Sequence, residues 1–236
     1  MTNSAKDLLL KFRAFFFSAA VIVLLSSCLD DDDNYINEPL DVAYVSIYHA
    51  VPDGPGIDIV VDGRVINNTP FEYTDHSGYL NFFTGNRNIR FNVADASNAL
   101  VDTTFNLENG RAYSLFAVDT LPNVKALLVV DSAGTPGSGK AMVRFVNLSP
   151  DAEAFNVATD GGTSLFAPRS FKEASEYVEI DADVYTFDLL TADSGDVVVS
   201  GTDVEILPGR YYTVIARGFV NPPAGNNNVL SIEVIN

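Results

Sequence analysis

The sequence predicts an all-β protein with two tandem β-sandwich domains, immunoglobulin-like or transthyretin-like in general shape, behind a cleaved signal peptide. Three observations predict this organisation. The chain of 236 residues repeats itself at an offset of 98 residues, its apolar segments are short and alternate with a period of two, and its N-terminus has the charge and hydropathy order of an export signal. One continuous barrel built from both copies is the alternative architecture.

Residues 1–27 are the predicted signal peptide. Lys6, Lys11 and Arg13 precede an apolar run from residue 14 to residue 25. A helix needs roughly 20 apolar residues to span a bilayer, so this run of about a dozen fits a cleaved segment.

The end of that run carries a four-residue motif, Leu25-Ser26-Ser27-Cys28. It resembles the lipobox of bacterial lipoproteins, and the resemblance implies cleavage before Cys28 and a diacylglyceryl group on its thiol. Cys28 is the only cysteine in the chain, so it has no intramolecular disulfide partner. We therefore expect acyl chains of the palmitate type on Cys28, with the membrane as partner. An uncleaved N-terminal helix with an incidental cysteine is the alternative.

Residues 28–40 form the predicted tether, which contains the like-charge block Asp30-Asp31-Asp32-Asp33. An acidic run behind a lipidated cysteine resembles the export signal of Bacteroidetes lipoproteins, and this implies an outer-membrane protein exposed at the cell surface. The alternative is a calcium loop, because Asp30, Asp32 and Asn34 have EF-hand spacing. Tyr35 stands where that loop requires glycine.

The charge of the chain excludes some classes of partner. The net charge is −17, with eleven acids against five bases in residues 41–139 and fourteen against six from residue 140 onward. Nucleic-acid binding requires clustered Lys and Arg, so we expect no nucleic-acid partner.

The internal repeat sets the domain boundaries. Residues 44–63 align without a gap to residues 142–161. The matches are Val45 with Val143, Pro52-Asp53 with Pro150-Asp151, Asp62-Gly63 with Asp160-Gly161, Tyr79 with Tyr177, Phe91 with Phe187, and Gly110-Arg111-x-Tyr113 with Gly209-Arg210-x-Tyr212. Gly, Pro and Ser fill the segment between the copies. We predict one sandwich over 41–133, a linker over 134–139 and a second sandwich over 140–236.

Inside each copy, apolar and polar residues alternate, as in residues 57–62, 89–93 and 185–189. Turn signals separate these segments, namely Asp62-Gly63, Asn109-Gly110, Asp160-Gly161, Pro208-Gly209 and Asp193-Ser194-Gly195-Asp196. Short strands at regular spacing indicate a sandwich in each copy.

The segment that opens each copy is specific enough to carry a resemblance. Residues 143–152 read V-R-F-V-N-L-S-P-D-A, and an apolar strand ending in Asp160-Gly161 follows. This pattern resembles the domain of unknown function numbered 4397 of bacterial surface and secreted proteins. The first copy departs from it, with Val51 in place of Ser149 and Gly54 in place of Ala152. The resemblance implies a β-sandwich outside the cytoplasm and transfers no functional residues.

Candidate catalytic and metal sites are weak. His49 with Asp53 could form a dyad, and His49, His76 and Asp75 could bind a metal, but no nucleophile or ligand spacing accompanies them. The acid pairs Asp181 with Asp183 and Asp193 with Asp196 do not make a glycosidase site. We therefore expect hydrogen-bonded histidines at strand ends, no catalytic residues, no metal site and no cofactor.

Two pairs of adjacent aromatic residues are the candidate binding residues, namely Phe82, Phe83, Tyr211 and Tyr212. Neighbouring residues of a strand point to opposite faces, so one member of each pair should face away from its own core, where it could bind a glycan or a surface protein. The alternatives are that these side chains fill the interface between the domains, or that a bulge turns both inward.

Together these features predict a non-enzymatic, lipid-anchored cell-surface protein with a role in adhesion, scaffolding or ligand binding. The alternatives are a carbohydrate-binding or carbohydrate-processing accessory lipoprotein, and a structural subunit of a surface assembly.

Overall fold

The computed structural model describes residues 40–159, 162 and 164–236, which form fifteen β-strands and no helix. No helix in this part of the chain is long and apolar enough to cross a membrane. The predicted signal peptide, the lipidation of Cys28, the acidic tether and the Asp160-Gly161 turn lie outside the described residues.

The first repeat forms a sandwich of two four-stranded sheets, with strand orders β4-β1-β7-β8 and β3-β2-β5-β6. Strand β1 lies between β4, its antiparallel neighbour, and β7, its parallel neighbour. In an immunoglobulin domain the first two strands lie in the same sheet, whereas β1 and β2 lie in different sheets. The strand order therefore differs from the immunoglobulin order, and of the two predicted shapes the transthyretin-like one remains. The strands are β1 (Val42–His49), β2 (Ile57–Val61), β3 (Arg64–Val65), β4 (His76–Phe83), β5 (Gly85–Val93), β6 (Ala99–Leu107), β7 (Ala112–Val118) and β8 (Lys125–Val130).

The second repeat follows the same plan, with sheets β11-β9-β14-β15 and β10-β12-β13. Strand β9 runs parallel to β14, as β1 does to β7. An isolated bridge between Ala158 and Ser164 stands at the place of β3. The strands are β9 (Lys140–Asn147), β10 (Phe155–Thr159), β11 (Val178–Asp181), β12 (Val184–Thr191), β13 (Val197–Glu205), β14 (Tyr211–Arg217) and β15 (Ser231–Ile235), and residues 131–139 between the repeats carry no strand.

The strand registers correct one pairing of the repeat. Ile57 is opposite Val93 in the first repeat and Phe155 is opposite Thr191 in the second, so the offset of 98 residues holds through β5 and β12. Phe91 therefore corresponds to residue 189, and its match with Phe187 was wrong. A slip of two residues keeps every side chain on the same face of a strand, so alternation alone cannot detect it.

Each sandwich encloses its own apolar core. In β1 the residues Ala43, Val45 and Ile47 face inward with no exposed surface, and they pack on the facing sheet against Ile59 and Phe91. The second core is built in the same way around β9 and β14.

A third apolar cluster joins the repeats. It contains Tyr48, Ala50, Phe116 and Val118 from the first repeat and Val146, Leu148 and Ile215 from the second, all at most 1 % exposed. These residues lie on the outward faces of the two sheets that contain β1 and β9. The four sheets are therefore stacked in layers, and residues 40–236 form one compact unit. The alternative of one continuous barrel is wrong.

Candidate functional site

The four predicted binding residues separate into two buried and two exposed side chains. Phe82 is 6 % exposed and Phe83 63 %, while Tyr211 is 40 % exposed and Tyr212 4 %. The hydroxyl of Tyr212 accepts the backbone N–H of Leu207 at 2.9 Å inside the second core. Phe82 and Tyr212 are core residues because their positions in the strand pleat face inward, which corrects their assignment as binding residues.

Phe83 belongs to a group of aromatic side chains on the outward face of the first sandwich. Tyr44 on β1 is directly opposite Asn81 on β4, and Tyr79 and Phe83 flank Asn81 along β4. Residues two apart on a strand share a face, and diagonal neighbours lie about 7–8 Å apart. Tyr44 is 41 % exposed and Tyr79 49 %. We call Tyr44, Tyr79, Asn81 and Phe83 the aromatic face.

Tyr211 lies on the corresponding outward face of the second sandwich, close to the junction of the repeats. Its ring is 6.1 Å from that of Tyr177 in an edge-to-face arrangement, and its hydroxyl donates to the carbonyl of Gly134 at 3.2 Å. Tyr177 and Tyr211 line a small cavity together with Tyr79. The structure therefore places Tyr211 beside one edge of the aromatic face, whereas Phe83 lines a different cavity.

Tyr79 is fixed in place by a charged partner. Its hydroxyl donates to Oδ2 of Asp131 at 2.7 Å. Burial, followed by the negative charge of Asp131, raises the pKa of Tyr79, so the hydroxyl stays protonated.

A groove of about 620 Å³ opens beside Phe83, between the edge strands β3 and β4 of the two sheets. We call it the edge groove. Leu80 and Ile66 contribute apolar surface. Its full lining is Val61, Asp62, Arg64, Ile66, Leu80, Asn81, Phe82, Phe83 and Arg87.

Two arginines line the edge groove, Arg64 at an exposed position of β3 and Arg87 at a partly buried position of β5. Arg64 pairs with Val61, whose side chain faces the core, and Arg87 shares its face of β5 with Ile89 and Phe91. Nη1 of Arg87 donates to Oδ2 of Asp62 at 2.8 Å. Neither arginine is among the binding residues predicted from the sequence. The position of Arg87 in the alternation of β5 was the available signal, because a charge at an inward position is exceptional, whereas no pattern marks the exposed Arg64.

The second repeat keeps one of these residues, Tyr177 at the position of Tyr79. Tyr44 corresponds to Met142, Phe83 to Asp181, and Arg87 to Tyr185, while Gly162 stands at the position of Arg64. Asp181 is instead paired with the ammonium of Lys140 at 2.7 Å. The aromatic face and the edge groove therefore belong to the first repeat alone.

The Pro-Asp motif that opens each repeat positions a loop. The carboxylate of Asp53 accepts the N–H of Leu121 at 3.1 Å, and that of Asp151 accepts the N–H groups of Val220 and Asn221, each at 2.8 Å. Asp151 lines a second cavity of about 540 Å³, where its carboxylate is already occupied by these bonds.

His49 and Asp53 do not form the dyad considered from the sequence. Nδ1 of His49 accepts the N–H of Val51 at 3.2 Å, so Nε2 carries the proton and donates to the carbonyl of Pro55 at 3.0 Å. Burial lowers the pKa of His49, which keeps the ring neutral. Within the described residues, no group of three or more His, Cys, Asp and Glu side chains lies together in a way that could hold a metal.

Of the acid pairs, Asp193 and Asp196 belong to the turn between β12 and β13. Gly195 has a φ of 73° there, and the N–H of Thr191 donates to the carbonyl of Asp196 at 3.0 Å. This is the hairpin expected from the sequence.

Several solved structures match part of this chain at low TM-scores. The Bacillus anthracis TIE protein is 12 % identical, and the match covers 75 % of this chain and 34 % of that chain with a TM-score of 0.25. The family 26 carbohydrate-binding module from Eubacterium rectale Amy13K, in complex with maltoheptaose, is 12 % identical over 80 % of this chain and 96 % of that chain, with a TM-score of 0.25.

An alpha-glucan-binding streptococcal virulence factor is 14 % identical over 73 % of this chain and 92 % of that chain, with a TM-score of 0.22. The chain spans about a third of the TIE protein. No curated protein matches the chain in sequence.

The family comparison covers most of the chain. Residues 43–158 and residues 149–233 each match the family model described as Domain of unknown function (DUF4397). Together the two matches run from the second residue of β1 to the middle of β15. The chain belongs to the DUF4397 family.

Proposed function

We propose that the protein is a non-enzymatic surface protein that binds carbohydrate on the aromatic face of its first sandwich. One observation carries this proposal. Among the described residues, the exposed large hydrophobic side chains include four aromatic ones, Tyr44, Tyr79, Phe83 and Tyr211, and all four lie on the outward faces of the two sheets that contain β1 and β9.

The chemistry of the aromatic face suits a sugar ring. Aromatic side chains offer a flat apolar surface against the C–H groups of a sugar, and the hydroxyl of Tyr44 can hydrogen-bond at the rim. Asn81 lies between Tyr79 and Phe83 and offers both an amide donor and an acceptor. Two paired strands hold these side chains, so little conformational entropy is lost on binding.

We propose the outer membrane as the site of action, and the N-terminal sequence supports this. A lipid on Cys28 would anchor the chain in the outer membrane, and the acidic tether of residues 28–40 would carry the sandwiches away from it. Incorporation of labelled palmitate into the wild type, and its loss in Cys28→Ser, tests this anchor.

Binding is tested with soluble protein of residues 41–236 on a glycan array, followed by calorimetry on each glycan retained. Phe83→Ala and Tyr44→Ala should each weaken binding about tenfold, which is roughly 1.4 kcal/mol, without changing the melting temperature. Val197→Ala removes a side chain of comparable exposure, 51 %, from the second sandwich and should have no effect.

Two results would contradict the proposal. Retention of no glycan, or unchanged affinity in both aromatic variants, would exclude the aromatic face as a carbohydrate site. Cleavage of a retained glycan by the wild type would exclude the non-enzymatic role.

A further inference from the structure

We infer that the edge groove binds the carboxylate of a uronic acid residue, so that the ligand of the aromatic face is an acidic polysaccharide. This inference rests on the proposed function and names the class of its ligand. It is carried by Arg64 and Arg87, by their free hydrogen-bond donors, and by the position of Phe83 on both surfaces.

Arg64 and Arg87 bring positive charge to the edge groove. Arg87 stands at an inward position of β5 with 26 % of its side chain exposed, where a guanidinium loses part of its hydration and is compensated by an anion or by hydrogen bonds, while Arg64 is exposed. The first repeat has only five basic residues against eleven acids, and two of the five line this groove. With Asp62 included, the groove has a local charge of about +1 in a protein of −17.

The two arginines have hydrogen-bond donors that no described residue uses. Nη1 of Arg87 donates to Asp62, while the buried Nε has no hydrogen-bond partner in the described structure. Arg64 forms no ion pair with any described residue. A guanidinium presents its donors in a planar fork that matches the two oxygens of a carboxylate, so the exposed Arg64 can donate to both oxygens and Nη2 of Arg87 can donate to one of them.

The edge groove and the aromatic face are continuous through Phe83. Phe83 lines the edge groove and also belongs to the aromatic face. A sugar that stacks on Phe83 therefore lies at the mouth of the groove and can direct a ring substituent toward the arginines. The volume of about 620 Å³ falls within the range of small-ligand sites, about 300–1,000 Å³.

The experiment compares two oligosaccharides that differ only in the carboxyl group. Oligogalacturonate and its carboxyl-reduced form are titrated into the wild type, Arg64→Gln, Phe83→Ala and the control Arg111→Gln, which removes an exposed arginine paired with Glu108 elsewhere in the first repeat. We expect the wild type to bind the acidic form at least tenfold more tightly, with a preference that falls as salt rises from about 50 to about 500 mM.

The variants separate the inference from the function on which it rests. Arg64→Gln should lose the preference for the acidic form and keep the affinity for the reduced form, Phe83→Ala should weaken both, and Arg111→Gln should change neither. Equal binding of the two forms by the wild type, with loss of both in Phe83→Ala, would overturn the inference and leave carbohydrate binding intact. No binding of either form would overturn the inference, and the glycan array then decides the proposed function separately.

Dextran sulfate distinguishes a uronate site from a site for any polyanion. We expect it to bind the wild type more weakly than oligogalacturonate, because a planar carboxylate fits the guanidinium fork and the sugar ring must also stack on Phe83. Equal or tighter binding of dextran sulfate that depends on Arg64 would overturn the assignment to a uronic acid.

Discussion

His49 and Asn147 occupy equivalent positions in the two repeats and make equivalent hydrogen bonds. Each accepts the N–H of the residue two positions later, on Nδ1 of His49 and on Oδ1 of Asn147. Each donates to a carbonyl six positions later, that of Pro55 from His49 and that of Glu153 from Asn147. The histidine therefore holds the loop after β1 in its place, as the asparagine does after β9. This geometry agrees with the expectation from the sequence that His49 is hydrogen-bonded at a strand end.

We expect His49 to make the stability of the protein depend on pH. Burial lowers its pKa below the ordinary value of about 6.5, so between those two values the unfolded chain binds more protons than the folded one. The contribution of His49 to stability is therefore complete above pH 6.5 and is lost as the pH falls through this window. Urea denaturation of residues 41–236 between about pH 5 and pH 7.5 measures the slope.

The two repeats supply the control for this prediction. His49→Asn should reduce the slope and keep most of the stability, since asparagine performs the same task at position 147, whereas His49→Ala should cost about 2 kcal/mol because it leaves Val51 N–H without its partner. A part of the slope belongs to His76, whose pKa burial also lowers. An unchanged slope in His49→Asn would contradict the assignment.

At the scale of the elements, one buried arginine links the sheet that contains β9 to the sheet that contains β1. Nη1 of Arg144 on β9 is 2.6 Å from Oδ1 of Asp131, Nη2 donates to Ser114 on β7 at 2.7 Å, and Nε donates to Thr213 on β14 at 3.0 Å. Its guanidinium carbon lies 4.9 Å from the centre of the Tyr177 ring. The side chain of Arg144 is 1 % exposed and that of Asp131 4 %, so each charge depends on the other.

Arg144→Met should destabilise the protein by about 3–5 kcal/mol, because it leaves the carboxylate of Asp131 buried without its counter-charge. The double variant with Asp131→Asn should recover a part of this loss, since asparagine still accepts the hydrogen bonds of Tyr79 and Ser114 on the same side. Lys140→Met breaks an exposed ion pair with Asp181 and should cost less than about 1 kcal/mol. Chemical denaturation measures all three, and equal losses in Arg144→Met and Lys140→Met would show that the buried pair is not the link.

The elements themselves were predicted well where a local signal fixes them. The Asp62-Gly63 turn between β2 and β3 has φ values of 48° and 81°, as the mirror-image hairpin turn requires. The alternation of Phe82 with Phe83 follows from the pleat of a single strand. The match of Phe91 failed because a slip of two residues conserves the faces, so only the pairing of whole strands could reveal it.

At the scale of the whole molecule, the repeats meet through equivalent residues. Tyr48 corresponds to Val146, Ala50 to Leu148 and Phe116 to Ile215, and all six are in the cluster between the sandwiches. The junction thus resembles the isologous interface of a symmetric dimer joined in one chain. Polar bonds frame it, such as that from the hydroxyl of Tyr48 to Glu233 at 2.5 Å.

Residues 41–133 alone should dimerise or aggregate, because separation exposes the side chains of Tyr48, Phe116 and Val118, each worth about 1.5–3 kcal/mol of burial. Residues 41–236 should be monomeric and unfold in one transition. Light scattering and denaturant titration compare the two. A monomeric first repeat with the stability of the longer protein would contradict the joined architecture.

The sequence by itself determined the all-β class, the duplication, the turns and the outward direction of one member of each aromatic pair, because alternation, repeat offset and turn residues act over a few positions. Tertiary structure decided which outward faces became buried between the repeats, that Tyr44, Tyr79 and Phe83 share one surface, and that Arg64 and Arg87 meet in a groove. These relations join residues that are up to about 40 positions apart within the first repeat, and up to about 170 apart between the repeats, as Tyr48 and Ile215 are. Their contacts depend on how four sheets stack, and no local pattern encodes that order.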